Sequence, residues 1–67
     1  MNETYPTLQY DDSGFPVIDL QTLLGTVEID GSFGPQTYLA VKDFQAKNGI
    51  FPNGIVDQLT WQQLHQS

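Results

Sequence analysis

The stretch Ile29-Asp30-Gly31-Ser32-Phe33-Gly34-Pro35-Gln36-Thr37 decides how the rest of the chain is read. Asp30-Gly31 is a tight-turn pair: the acid can bond backbone amides just ahead of it, and the glycine tolerates a positive φ. Phe33 then supplies an apolar plug. Gly34-Pro35 opens a helix, because proline at the first position lacks an amide that the first turn leaves unpaired anyway. Thr37, Ala40, Val41, Phe44 and Asn48 recur at helical spacing, and Asn48-Gly49 ends that helix.

Toward the N-terminus, Pro16 suits the first position of an earlier helix. Val17, Leu20, Gln21 and Leu24 share one stripe of it, and Gly25 stands where a left-handed C-terminal residue belongs. Ahead of it, Asp11-Asp12-Ser13-Gly14 predicts a turn and Leu8 to Tyr10 a short extended piece. Residues 1–7 read as a polar lead-in, with Pro6 keeping Tyr5 out of a helix, and residues 8–67 as one domain. Toward the C-terminus, Asn53-Gly54 is a second turn pair. Asp57 can cap a third helix from Gln58 to His65, whose inner face carries Trp61 and Leu64. A turn pair between apolar residues also suits a β-hairpin. The flanking segments are too short for paired strands, however, and helix signals follow both pairs directly.

Residues 30–41 laid over 53–64, an offset of 23, share a common unit. Asp30-Gly31 falls over Asn53-Gly54, Phe33 over Val56, Gly34 over Asp57, Thr37 over Thr60, Tyr38 over Trp61 and Val41 over Leu64. Each position has one task in both copies: turn, apolar plug, helix cap, then a threonine, an aromatic and an aliphatic on the helix. The expected fold is all-α, a compact three-helix bundle with two pseudo-symmetric turn-helix repeats.

Composition bounds the function. The chain has 67 residues, 39% hydrophobic, with eight aromatics and no cysteine. A domain of this size buries only ~60% of its unfolded surface. Without disulfides or thiolate metal sites, packing or a partner must hold it together. Two lysines, no arginine and eight carboxylates leave a net charge of −6. That balance excludes phosphate-gripping nucleic-acid binding and disfavours anionic lipid surfaces. No apolar run reaches the ~20 residues of a membrane span, and the N-terminal residues lack the pattern of a secretory signal.

Several motifs together resemble a known family. Leu20-Gln21, the stretch from Ile29 to Thr37, Ala40-Val41 and Phe44-Gln45 are similar to the type 1 peptidoglycan-binding domain. So are Gly49-Ile50, Asn53-Gly54-Ile55-Val56 and Thr60-Trp61-Gln62-Gln63-Leu64. The resemblance covers about Leu8 to Leu64. It implies a three-helix, non-catalytic module that binds bacterial cell-wall peptidoglycan, through glycan or stem peptide, and targets an attached or partner hydrolase to murein. A cell-wall, periplasmic or secreted location would follow from that function. A second reading is an interaction or regulatory domain packing against a catalytic domain in the same or another chain. Three positions depart from the family pattern: Asp57 replaces a glycine, Asn53 replaces an aspartate, and the connection from Gly25 to Ile29 is short.

The expected ligand-contacting residues are Asp30, Ser32, Gln36, Tyr38 and Tyr10. Asp30 has a turn role and can also meet an amine or hydroxyl. Ser32 and Gln36 border the start of the second helix, where free amides favour a carboxylate. Tyr38 lies off the main stripe, and Tyr10 lies near the first turn. Trp61, Phe44 and Phe33 are expected in the core. Gln21 and Gln45 are polar within apolar stripes and are expected to satisfy loop backbone groups inside the protein. No cofactor, metal or catalytic residue is expected. His65 lies in the last turn with no nucleophile or metal ligand beside it, and Asp11-Asp12 are adjacent turn residues that point apart.

Overall fold

The start of each helix is set by what the chain does just before it. The structure, a computed structural model, describes residues 5–66, so residues 1–4 of the lead-in and Ser67 lie outside it. Three helices follow in order: α1 (Phe15–Leu24), α2 (Pro35–Lys47) and α3 (Gln58–Gln66). Pro35 occupies the first position of α2, as its chemistry suggests. In α1 the first position is Phe15 and Pro16 is second, one residue off the expected register. Gly14 makes the difference: its φ of 115° turns the chain into the helix one residue early. Either of the first two positions leaves its amide outside the helical ladder, so proline costs nothing there.

The helix ends follow their glycines. Gly25 adopts φ 72° and donates its amide to the Gln21 carbonyl. At the end of α2, the Ile50 amide bonds the Gln45 carbonyl at 2.8 Å and the Gly49 amide bonds Ala46 at 3.3 Å. These two bonds satisfy the last carbonyls of the helix in a Schellman arrangement. Asp57 caps α3, its Oδ1 accepting the Thr60 amide at 3.1 Å.

The core consists of Leu8, Val17, Leu20, Phe33, Val41, Val56, Trp61 and Leu64, all buried. Trp61 and Phe33 are interior, as expected. Phe44 is not: it is half-buried against the edge of the core, and Gln45 takes the interior place. The reason is hydrogen bonding. The buried face of α2 runs Thr37, Val41, Gln45, because the Gln45 amide is required inside to bond the second turn, and this rotation leaves Phe44 at the border.

The N-terminal segment ties the repeats together. Leu8 and Val56 exchange backbone hydrogen bonds at 3.1 and 2.8 Å. Three residues on, Asp11 donates to the Phe33 carbonyl and Phe33 donates to the Asp12 carbonyl, both at 2.9 Å. Each plug residue is therefore pinned to the same N-terminal segment, on either side of the Gln9–Asp12 turn. Among the described residues these pairings amount to isolated bridges, Leu8 with Val56 and Ser13 with Ser32, and no strand or hairpin forms. Tyr5 and Pro6, which precede the boundary drawn at Leu8, also touch the domain. Tyr5 stacks on Trp61 with ring centroids 5.2 Å apart, and the Trp61 indole donates to the Pro6 carbonyl at 2.8 Å. No described helix is long and apolar enough to cross a membrane.

Candidate functional site

Two buried glutamines organise the two turns. From α1, Gln21 Oε1 accepts the amides of Asp30 (3.0 Å) and Gly31 (2.9 Å). Its Nε2 lies within hydrogen-bond distance of Asp30 Oδ1, the Ser32 carbonyl and Thr37 Oγ1, at 3.0, 3.0 and 3.1 Å. From α2, Gln45 repeats the pattern. Its Oε1 accepts the Gly54 amide at 3.0 Å, and its Nε2 faces Asn53 Oδ1, the Ile55 carbonyl and Thr60 Oγ1 at 3.3, 2.9 and 3.1 Å. Both turn glycines have φ 77°. The repeated unit is thus helix, turn, helix, and α2 belongs to both copies. Burying such polar groups is tolerable only because each is paired, and among the described residues no buried side-chain nitrogen or oxygen lacks a partner.

The copies differ at the surface. In the first, Asp30 Oδ1 accepts the Ser32 amide at 2.9 Å as well as the Gln21 amide. The Ser32 amide, then Gln21, hold the exposed Asp30 carboxyl below its ordinary value, because both stabilise the charged form. No side chain caps the start of α2 at Gly34. In the second copy, the neutral Asn53 replaces Asp30 and accepts the Ile55 amide at 2.9 Å, and Asp57 caps α3.

At the open end of the first copy lies a shallow groove of about 450 Å³, lined by Glu28, Asp30, Ser32, Gly34, Pro35, Gln36 and Thr37. Three of the expected contact residues, Asp30, Ser32 and Gln36, converge here. Glu28 joins them without having been singled out. The signal available for it was its place two residues before Asp30, in the short connection that must border the turn. The carboxylates of Glu28 and Asp30 offer hydrogen-bond acceptors and negative charge. Ser32 and Gln36 add neutral donors and acceptors, and the uncapped start of α2 adds backbone amides.

Tyr38 and Tyr10 do not line this groove. Their rings lie 5.9 Å apart, and the Lys42 ammonium sits 5.2 Å from the Tyr38 ring centroid, a cation–π contact. A second, smaller cleft of about 230 Å³ lies between α1 and α3, with Asp19, Leu23, Trp61 and His65 among its walls. His65 packs edge-on to Tyr5 at 4.9 Å. Asp12 Oδ2 accepts the Gln9 amide at 2.9 Å, a turn contact. No group of three or more described His, Cys, Asp or Glu side chains is gathered as metal ligands would be.

Comparison with known proteins agrees with this architecture. Residues 14–64 match the family model described as "Putative peptidoglycan binding domain". A curated protein of Kitasatospora aureofaciens, "Uncharacterized protein in bpoA1 3'region", is 45% identical over 65 residues; the match covers 88% of this chain and 55% of the relative's length. The crystal structure of the SleB N-terminal domain superposes with a TM-score of 0.89 at 35% identity, covering 94% of this chain and 93% of that one. A fused Zn-dependent amidase/peptidase/peptidoglycan-binding domain-containing protein from Clostridium acetobutylicum superposes with a TM-score of 0.90 at 34% identity, covering 96% of this chain and 31% of that one.

Proposed function

The chain belongs to the peptidoglycan-binding domain family, and from that premise we propose that it binds murein through the groove beside Asp30. It would thereby hold an attached or partner cell-wall hydrolase on its polymer. The observation that carries this reading is the convergence of Asp30, Ser32 and Gln36 at a repeat turn whose following helix has no side-chain cap, in contrast to α3 after the second repeat turn. Donors and acceptors there suit the amide, ammonium, carboxylate and hydroxyl groups of a glycan bearing short peptides. The contribution of this chain is binding rather than chemistry. A shallow contact of this size is weak alone and gains from tethering, which raises the local concentration of whatever is attached.

The polar lining favours this reading over a protein-packing surface, whose central contacts would be apolar. Purified sacculi provide the test. The protein should co-sediment with sacculi, and Ser32→Ala with Gln36→Ala should lower retention, whereas Tyr10→Ala should leave it unchanged. Wild-type retention no higher than that of an unrelated acidic protein of similar size would reject murein binding.

A further inference from the structure

We propose that Gln21 is a positioning residue for ligand binding in the groove, and that its repeat counterpart Gln45 serves the fold alone. The inference rests on the murein reading of that groove. Gln21 lies on α1, is buried, and is not among the groove-lining residues. Yet it bonds three residues that are: Asp30, Ser32 and Thr37. Its effect on Asp30 is directional. Asp30 Oδ1 is occupied by the Gln21 amide and the Ser32 amide together. Oδ2 is left as the oxygen that can accept from a ligand, on a carboxylate whose rotation is stopped. A pre-set acceptor loses less freedom on binding than a mobile one, so removing Gln21 should weaken binding even where the domain stays folded.

The repeat supplies an internal control. Gln45 makes the same class of bonds to the second turn. The residue it holds there is the neutral Asn53, and the helix beyond is capped by Asp57. Loss of either glutamine strips partners from buried backbone groups, so both variants should lose stability. Only one should lose affinity.

The experiment compares Gln21→Met and Gln45→Met in the full chain, by retention on purified sacculi. Affinity is expressed per folded molecule, with the folded fraction taken from circular dichroism. Gln21→Met should bind about tenfold more weakly, and Gln45→Met within about twofold of wild type. Should either methionine variant fail to fold, Gln21→Glu and Gln45→Glu replace them. Glutamate keeps the oxygen that accepts the turn amides but sets its second oxygen against the charged Asp30 carboxylate in the first case, and against the neutral Asn53 Oδ1 in the second. A second readout follows the Asp30 carboxyl by carbon-13 NMR. Its titration should move upward in Gln21 variants and stay in place in Gln45 variants, which reports the Gln21–Asp30 bond itself, while the difference in affinity tests positioning. Equal affinity losses in the two variants, or none in either, with wild type retained on sacculi, overturn the positioning role alone. Wild type that is not retained overturns the murein reading and this inference with it.

Discussion

The ring of Tyr38 rests so closely on Gly54 that a β-carbon at position 54 would stand 2.3 Å from its Cε1. The first helix of the second unit thus closes over the turn of that unit. The glycine is required twice, for its φ of 77° and for the space that the ring occupies.

Gly54→Ala is therefore expected to destabilise more than Gly25→Ala. Both place a side chain in left-handed backbone, which costs about 1–2 kcal/mol, but at Gly25 nothing lies within 4 Å of the added carbon. At Gly54 the displaced ring adds an overpacking cost of about 1–3 kcal/mol. Urea unfolding of the two variants side by side gives the order; equal midpoints would contradict the ring contact.

Asp57→Ala removes the side-chain acceptor of the Thr60 amide. A loss of about 1 kcal/mol is expected, or a fall in Tm of about 4–8 °C in a domain of this size. Asp57→Asn should recover most of it, and retention on sacculi should be unaffected because Asp57 does not line the groove.

Asp30 makes stability depend on acid. Its carboxyl is held below the ordinary value in the folded protein, so its contribution is present above the unfolded value. That contribution is lost as pH falls through the folded one. Asn53 does the corresponding turn work without charge, so Asp30→Asn should still fold. Thermal unfolding between about pH 5 and pH 2 should show a shallower acid decline for the variant than for wild type. Parallel curves would remove Asp30 from the acid response.

The net charge of −6 predicts how wall composition matters. On walls carrying anionic polymers, retention should rise as salt is raised from about 0.01 to 0.15 M, because the screening length shrinks from about 30 to about 8 Å. On murein stripped of those polymers the rise should vanish. Sedimentation on both materials across a salt series separates the two cases.

The helices were legible because their punctuation is chemical: Pro35, Gly25, Asn48-Gly49 and Asp57 each end or begin an element for a reason visible in one residue. The turn networks were half legible. An amide inside an apolar stripe needs partners, so Gln21 and Gln45 announced interior work, but their particular partners depend on a fold that brings residues eight or more apart together. Phe44 misled because hydropathy ranks a ring above an amide, while the unpaired groups of the second turn required the amide. For the groove, Asp30, Ser32 and Gln36 follow from the turn and the helix start. Tyr10 and Tyr38 were grouped with them by neighbourhood along the chain, and which way their rings face is set by tertiary packing.

The segment from Leu8 to Gly14 also governs how the domain carries load. Tension applied at the N-terminal end reaches the paired backbone bonds of Leu8 and Val56 before it reaches either turn. Together with the Pro6–Trp61 bond just upstream, those two bonds form a clasp that shields both turns when a tethered module is pulled while its groove stays anchored.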